Sequence, residues 1–593
     1  MKKTLLLFVV LLIVCVVVVW LFIERYNQPA IKKKTIANVQ AAGSLKAHTK
    51  HFERKVYRVG NNVYSAVGFG LANAIMIEGD DGLIIVDTME SLQEARGVLK
   101  AFRKISDKPV KAIVYTHNHT DHIFGAQVFA EGGKPEVYAH ETLEYFVNRL
   151  VSKMKPIIGS RSMRMFGNFL DQAGLENDGI GPYLGIGPDR ELGYIRPTQT
   201  FRDKMDVEVA GVKMKLIHAP GETDDTIYVW LAGPRILLCG DNLYRSFPNL
   251  YTIRGTPYRS VKKWYQSVDI IRDLKPGVLV PSHGQPIYGA DKVYAIATDY
   301  RDAIQYVHDQ GIRCINLGMT PDQIVAQVQL PPHLAASPYL QEYYGKVSWS
   351  LRSLFDGNLG WFDGDSATLQ PLSQKENARL MADLAGGKRK LLKEARARYD
   401  KGQFQAALQL TGYILALEPQ DREAGSLRAR TLIKLGEREE NANARHYYLT
   451  EALEIRDAFV AGTGDIKPTP EMVQGFPIEG FFELMAVGLD PVKSADLNQK
   501  VAIRFTDIRR DFTIHVRRGV AEVQPRLLED PDIIVKVDSS IWKEMLSGLR
   551  NPLTTMAGFD YEKGGTIGFV EFMKMFKMPE PKLAFEPADA TLG

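Results

Sequence analysis

The residues best suited to chemistry lie at positions 116–122, which read Thr-His-Asn-His-Thr-Asp-His. They directly follow the apolar run at 112–115, which predicts a buried strand that delivers this loop to the rim of a sheet. His117 and His119 are expected to project to one side, while Asp121 and His122 turn toward a neighbouring point. Imidazole with carboxylate suits zinc or another borderline transition metal, so the loop can supply ligands to two adjacent ions.

Three further residues of metal-ligand type follow the ends of later apolar runs. Glu222 comes after a strand-like run and a Pro-Gly turn, Asp241 ends the run at 236–240, and His283 follows the run at 278–280. Each residue alone would be an ordinary loop residue. A site for two metals needs more ligands than the first loop provides, and these three side chains would complete it.

This order of elements resembles the metallo-β-lactamase superfamily over roughly residues 55–290, with Asp87 ending an early strand. Glu222 stands where that superfamily usually has histidine, and this substitution resembles the zinc alkylsulfatases, which hydrolyse dodecyl sulfate and similar esters. The stretches at 249–256 and 359–364 match the same family. Two features depart from it: Asp241 stands where alkylsulfatases typically have glutamate, and the acid follows the glycine of the Pro-Gly turn directly.

The resemblance leads to an assignment of seven ligands to two zinc ions per chain. One ion is held by His117, His119 and Glu222, the other by Asp121, His122 and His283, and Asp241 bridges them. Two zinc ions sharing a water would lower its pKa toward about 7. Asp87 is expected to orient the histidine loop instead of binding metal.

Arg254 is the predicted clamp for the sulfate group, because a guanidinium binds tetrahedral oxyanions through paired hydrogen bonds. Asn249 and Tyr251 are expected to add hydrogen bonds to the same group. Four other residues are interpreted without a role in the reaction. Asp224 and Asp225 are read as a solvated acidic turn, and His140 and His218 as structural histidines.

The length of 593 residues predicts three or four domains. We expect an anchor and linker over 1–50, a catalytic αββα sandwich over 51–290, and an all-α region over 291–462 that includes a helix pair of tetratricopeptide type. An α+β domain is expected over 470–585. By resemblance, the third region is a dimerisation domain and the last is sterol-carrier-like, which implies an apolar pocket for alkyl chains. The irregular stretch at 155–200 is typical of a binding loop or lid.

The formal net charge of +4 is small for this length and gives no case for nucleic acid as a partner. The apolar run at 5–23 is long enough to cross a bilayer and predicts a single-pass anchor, with a cleaved signal peptide as the alternative. The protein is therefore predicted at a membrane, with its catalytic domain periplasmic, lumenal or extracellular. Positive charges flank both sides of the run, so the orientation stays open.

The sequence thus predicts a homodimeric, metal-dependent hydrolase that cleaves alkyl sulfate esters to alcohol and sulfate. One alternative keeps the fold and the metals but changes the substrate to a phosphodiester, lactone or thioester, and Asp241 gives it some support. Another alternative is a membrane-tethered lipid-binding protein with a vestigial metal domain. The complete set of seven ligands argues against this last reading.

Overall fold

The structure is a computed structural model that describes residues 31–151, 153–462, 467–578 and 580–581. Its first half contains two sheets. The strands of the first half are β1 (Lys55–Arg58), β2 (Val63–Val67), β3 (Ala74–Glu78), β4 (Leu83–Val86), β5 (Val110–Val114), β6 (Glu136–His140), β7 (Glu191–Leu192), β8 (Gln199–Phe201), β9 (Lys204–Val209), β10 (Val212–His218), β11 (Ile227–Leu231), β12 (Ile236–Leu238), β13 (Val278–Val280) and β14 (Ile287–Tyr288). One sheet has the order β1-β2-β3-β4-β5-β6-β8, and the other has the order β14-β13-β12-β11-β10-β9.

Helices cover the outer faces of both sheets. The helices of this half are α1 (Gly43–His48), α2 (Leu92–Phe102), α3 (Thr120–Ile123), α4 (Ala126–Ala130), α5 (Leu143–Val151), α6 (Lys155–Met165), α7 (Gln172–Leu175) and α8 (Val261–Leu274). A short 3₁₀ helix spans Thr49–Phe52.

Alternation along the central strands explains the layering. On β3, Ile75 and Ile77 join a core formed between the two sheets, whereas Ala74 and Met76 join the core beneath α2 and α4. Successive side chains of a strand point to opposite faces, so strands that are apolar at every position must be covered on both. The second sheet packs its outer face on α8 and the long helix that follows β14. The result is a four-layer αββα arrangement.

The middle of the chain is helical and the last part is α+β. The helices of these parts are α9 (Ala290–Asn316), α10 (Pro321–Gln327), α11 (Pro332–Ala335), α12 (Val347–Leu359), α13 (Ser366–Leu369), α14 (Gln374–Leu384), α15 (Lys388–Asp400), α16 (Phe404–Leu417), α17 (Arg422–Arg438), α18 (Ala442–Asp457), α19 (Pro470–Gly475), α20 (Ile478–Gly488), α21 (Ser539–Leu546), α22 (Pro552–Ala557) and α23 (Gly565–Met573). The strands are β15 (Lys467–Pro468), β16 (Asn498–Phe505), β17 (Arg510–Arg517), β18 (Val520–Gln524), β19 (Ile533–Val537) and β20 (Asp560–Lys563). β16–β20 form one sheet of order β18-β17-β16-β19-β20, and β15 pairs with β7.

Aromatic side chains fill the centre of the C-terminal α+β part. Trp542 is fully buried, and its ring packs against those of Phe482, Phe505 and Phe569. Phe569 and Phe572 of α23 belong to the same core. The apolar stripe of α23 therefore serves packing within this part of the protein.

The predicted membrane anchor, and with it the predicted membrane localisation, is not supported. A bilayer-spanning helix needs about 20 consecutive, mainly apolar residues. Within the ranges that the structure describes, every helix is too short or too polar for that task. The run at 5–23, on which the prediction was based, lies outside the described residues. The predicted fold class is corrected accordingly: the described residues form the multidomain αββα, all-α and α+β arrangement, and they give no support to the anchor.

Candidate metal centre

Strand ends bring the seven predicted ligands to one edge of the sandwich. The loop after β5 and the short helix α3 carry the histidine motif, the β10–β11 turn carries Glu222, and Asp241 and His283 follow β12 and β13. All seven side chains are buried. Ligand atoms of His117, His119 and Asp241 converge on one point, and those of Asp121, His122 and His283 converge on another. We refer to these sets as the His117 cluster and the His122 cluster.

Asp241 contacts both clusters through one oxygen. Its Oδ2 atom lies 3.0 Å from Nε2 of His283, 3.4 Å from Nε2 of His122 and 3.6 Å from Nε2 of His117. Its Oδ1 atom is buried without a hydrogen-bond partner. A carboxylate oxygen shared among imidazoles of both clusters has the geometry of a ligand between two cations.

Three of the four histidines engage their far ring nitrogen with the surrounding protein and so present the other one to the clusters, whereas the ring nitrogens of His119 face His117 and Arg254. Thr116 Oγ1 lies 3.0 Å from Nδ1 of His117, Asp87 Oδ2 lies 2.8 Å from Nδ1 of His122, and the Leu71 carbonyl lies 2.9 Å from Nδ1 of His283. A metal-binding histidine usually donates its other N–H to such a group, which fixes the ring and its tautomer. The donor set therefore fits a divalent metal ion.

Asp87 anchors several parts of this frame at once. Its carboxylate accepts hydrogen bonds from the Thr116 amide and hydroxyl and from the Ser282 hydroxyl, each at 2.8 Å, besides facing His122. The residue has a left-handed backbone with φ 59°. A side chain that bonds four groups compensates for such a conformation. This arrangement agrees with the predicted orienting role of Asp87.

Electrostatics at the clusters also favour a bound cation. Burial lowers the pKa of His117 to about 3, so this ring is neutral and can bind metal near neutral pH. At His122, burial opposes the charged form, but the carboxylates of Asp121, Asp241 and Asp87 together raise its pKa well above the usual value. The buried negative charge of the site thus attracts positive charge, which a metal would supply.

Glu222 lies at the margin of the His117 cluster. Its Oε1 atom is 3.9 Å from Nδ1 of His119 and accepts a hydrogen bond of 2.9 Å from the Arg259 guanidinium. Its Oε2 atom is buried without a partner. Burial raises the pKa of Glu222 to about 7 although Arg259 acts against the shift. The predicted role of Glu222 as a metal ligand stays a prediction.

Sequence reasoning missed Arg259, whose side chain is buried beside Glu222. It also donates to the Asn249 carbonyl at 2.5 Å, while its Nε and second terminal nitrogen have no partner. Arg259 lies five residues after Arg254 in the same loop. The one hint of this role in the sequence was that a second arginine follows closely after the stretch assigned to substrate binding.

The predicted substrate residues occupy different positions. Arg254 lies against the His117 cluster, with a terminal nitrogen 3.0 Å from Nε2 of His119. Asn249 is fully buried, and both polar atoms of its side chain lack a partner. Tyr251 is partly exposed and is absent from the lining of the cavity described below.

The interpretations of the four remaining residues can be compared with the structure. His140 and His218 stack on each other with their ring centres 3.9 Å apart and take no part in either cluster. Asp224 is exposed, as a solvated turn requires. Asp225, in contrast, is buried and accepts a hydrogen bond from the Asn118 side chain at 2.5 Å, so it holds the histidine loop in place.

An apolar cavity of about 110 Å³ adjoins the two clusters. His119, Asp121, Asp241 and Arg254 line it beside the clusters, and we call this side its polar end; further polar lining residues are Thr120, Lys155 and Ser162. Its apolar lining consists of Leu71, Phe124, Ile158, Met163, Phe166, Leu184, Ile186 and Leu192. Most of this lining comes from the stretch predicted as an irregular loop, which in fact contains the helix α6. Pro156 opens that helix, where its missing N–H costs nothing and its fixed φ suits the first turn.

Models of three protein families match the chain. They are the metallo-β-lactamase superfamily over residues 67–283, alkyl sulfatase dimerisation over 320–458 and alkyl sulfatase C-terminal over 467–585. These matches cover the αββα sandwich, most of the helical region and the α+β part.

Individual relatives agree with the family models. The linear primary-alkylsulfatase of Pseudomonas sp. (strain ATCC 19151) is 38% identical over 522 residues, which are 82% of this chain and 98% of that protein. The (R)-specific secondary-alkylsulfatase of Pseudomonas sp. is 29% identical over 489 residues, 78% of this chain and 72% of that protein. The solved structure of the stereoselective inverting sec-alkylsulfatase Pisa1 from Pseudomonas sp. matches with a TM-score of 0.84 and 25% identity over 94% of each chain. The predicted resemblance is confirmed: the chain belongs to the alkylsulfatase family of the metallo-β-lactamase superfamily, a family of sulfate-ester hydrolases.

Proposed function

We propose that this protein hydrolyses alkyl sulfate esters to alcohol and sulfate at a centre of two zinc ions. The observation that carries the proposal is the largely apolar cavity, at whose polar end Arg254 lies 3.0 Å from His119 of the His117 cluster. A sulfate ester with an alkyl tail has the same division into an anionic head and an apolar chain. The family of the chain supports the same reaction.

The residues of the two clusters would hold the metals in the arrangement predicted from the sequence. His117 and His119 would share one ion with Glu222, and the His122 cluster would hold the other. Asp241 would lie between them, since its Oδ2 atom faces imidazoles of both clusters. When bound, the two zinc ions supply a strong nucleophile at neutral pH by lowering the pKa of a shared water.

Arg254 would bind the sulfate head of the substrate. Burial lowers the pKa of its guanidinium, and the neighbouring Arg259 acts in the same direction. A bound anion would therefore stabilise the charged form of Arg254 by balancing the two positive charges. Asn249 would contribute its unpartnered amide, which otherwise leaves buried polar atoms without a bond. Tyr251 and Asn249 are both absent from the lining of the cavity, so their contacts with the substrate stay predictions.

Release of inorganic sulfate tests the proposed reaction directly. Purified protein is expected to release sulfate from dodecyl sulfate, to stop after treatment with a chelator and to recover when zinc is returned. A phosphodiester of similar chain length is expected to be a poor substrate under the same conditions. Metal-dependent turnover of the phosphodiester with no release of sulfate would overturn the proposal.

Phe166 provides a test of the cavity as the site of the alkyl chain. Its side chain lines the cavity, and Phe166→Ala removes apolar surface that a long chain would contact. We expect the KM for dodecyl sulfate to rise about tenfold, which corresponds to about 1.4 kcal/mol of lost apolar contact. The KM for butyl sulfate should change far less, because a short chain does not reach the same surface.

Phe169→Ala is the matched control for this variant. Phe169 lies three residues further on, packs against Phe459 and is not among the residues that line the cavity. It should leave the dependence of KM on chain length unchanged. Equal effects of the two variants, or a Phe166 variant with the same loss for both esters, would contradict the assignment of the cavity.

The helical region is proposed to join two copies of the chain, because residues 320–458 match the alkyl sulfatase dimerisation model. Within this region α17 and α18 pack on each other, and α18 also contacts α6 of the cavity wall. The guanidinium of Arg164 on α6 donates two hydrogen bonds, of 2.9 and 2.8 Å, to the two carboxylate oxygens of Glu454 on α18. The proposed dimerisation region is thus joined directly to the part of the chain that lines the cavity.

A further inference from the structure

Glu90 is a buried carboxylate at the start of α2, and the proposed reaction does not use it. Its side chain is fully buried. One oxygen, Oε1, accepts hydrogen bonds from two backbone amides that are far apart in the chain: Leu71 at 3.2 Å and Gly185 at 2.8 Å. The other oxygen, Oε2, has no partner. The side chain therefore joins two separate segments at a single point.

Both segments border the cavity, and the segment of Leu71 also borders the metal centre. Leu71 lines the cavity, and its carbonyl faces Nδ1 of His283, the ring that belongs to the His122 cluster. Gly185 lies between Leu184 and Ile186, which form part of the apolar wall. One carboxylate oxygen thus connects the residue that orients a predicted metal ligand with the wall that faces the alkyl chain.

The wall has a second attachment on its opposite side. The Asn168 side chain donates to the carbonyls of Leu184 and Ile186, at 2.9 and 3.0 Å. Glu90 accepts from the amide of the residue between them. Because backbone polar groups on both sides are bonded, the position of this short segment depends on both side chains.

Two glycines allow the backbone to approach so closely. A Cβ atom on Gly70, next to Leu71, would lie 2.5 Å from Oε1 of Glu90. A Cβ atom on Gly185 would lie 2.5 Å from the carboxyl carbon of Glu94, the next acid on the helix. Real Cβ contacts are essentially never that short, so any side chain at either position would push its segment away from the carboxylates.

We propose that Glu90 is a positioning residue that holds the apolar wall of the substrate cavity at a fixed position relative to the metal centre. This inference rests on the proposed role of the cavity. Burial, and then the neighbouring Glu94 carboxylate, raise the pKa of Glu90 to about 8, so the group is mainly a neutral acid at pH 7. What the site needs from it is the acceptor oxygen at Oε1, and glutamine offers the same oxygen.

Glu90→Leu and Glu90→Gln form the test pair. Leucine leaves the amides of Leu71 and Gly185 without an acceptor. We expect the KM for dodecyl sulfate to rise about tenfold with little change for butyl sulfate, and zinc to be lost to a competing chelator at about tenfold lower chelator concentration. Glutamine should keep both properties close to those of the unaltered protein. Glu94→Gln, which contacts neither amide, should keep them as well.

Gly185→Ala tests the cavity wall separately from the metal centre. It also replaces Glu90→Leu in the test if a thermal melt shows that Glu90→Leu does not fold. It displaces the wall but leaves the contact between Leu71 and His283 in place. It should raise the KM for dodecyl sulfate without changing zinc retention.

Three results would overturn the inference. The first is that the dependence of KM on alkyl chain length stays unchanged in both Glu90→Leu and Gly185→Ala but still changes in Phe166→Ala. That result would leave the proposed function intact. Another is an equal loss in the glutamine and leucine variants. The third is a Gly185→Ala variant that loses zinc. If Phe166→Ala has no effect on chain-length dependence either, the assignment of the cavity itself fails.

Discussion

Asp241→Asn is expected to reduce sulfate release by about a thousandfold, since a lost charge at a metal centre costs several kcal/mol of transition-state stabilisation. The physical reason is the position of Oδ2, which lies within 3.6 Å of ring nitrogens from both clusters. Asparagine keeps the shape of the side chain but removes the negative charge between the two sets of imidazoles. We therefore expect the metal content of the purified variant, measured by elemental analysis, to fall together with the rate.

Asp206→Asn is a matched control for this substitution. Asp206 lies on β9 and pairs at the surface with Lys215 at 3.4 Å, away from both clusters. Its removal should affect neither rate nor metal content, because exposed ion pairs contribute little. An Asp241→Asn protein that keeps a full metal complement and the unaltered rate would exclude Asp241 as the bridging ligand.

Arg254→Lys is expected to lower kcat/KM for dodecyl sulfate by about a hundredfold, the effect of removing one well-placed donor to a developing oxyanion. Lysine keeps the positive charge but loses the planar fork that binds two sulfate oxygens at once. The guanidinium lies 3.0 Å from His119, at the polar end of the cavity, so its geometry relative to the metal centre should matter as much as its charge. The metal content should stay unchanged, which distinguishes this variant from Asp241→Asn.

Arg352→Lys controls for a general intolerance of arginine replacement. Arg352 is half-exposed on α12 and pairs with the exposed Asp322 at 2.6 Å. Its replacement should leave kcat/KM within twofold of the unaltered protein, because surface substitutions of this kind are nearly neutral. If the lysine variant of Arg254 were as active as this control, a guanidinium clamp at the site would be excluded.

The proposed position of the alkyl-chain site is where the structure changes the expectation most. The sequence pointed to the C-terminal part through its resemblance to sterol-carrier-like domains. In the structure Phe569 and Phe572 fill the core of that part. The apolar cavity beside the metal clusters is built instead by Ile158, Met163 and Phe166 on and just after α6. Apolar composition alone does not distinguish a filled core from an open pocket, because both use the same residue types.

The residue pattern predicted a layered arrangement of strands and helices in the first half of the chain and placed the candidate ligands at strand ends, while the αββα order followed from the family resemblance. Apolar runs such as β4 and the last three residues of β5 require cover on both faces, and their carboxyl ends then carry Asp87 and the histidine loop to one edge. Local pattern and spacing suffice for this, since both depend only on neighbours along the chain.

Which residues from distant parts of the chain come into contact around the metal centre became clear from the tertiary structure. It brought Arg259 to Glu222, buried Asp225 beneath Asn118, and placed Glu90 between Leu71 and Gly185. These contacts join residues that are 19 to 107 positions apart, and no periodicity or motif encodes such separations. The choice among them is made by packing, because each buried polar group must find a partner within the folded interior. Local sequence therefore predicted the candidate ligands and the orienting residue Asp87, whereas packing decided the other contacts that support them.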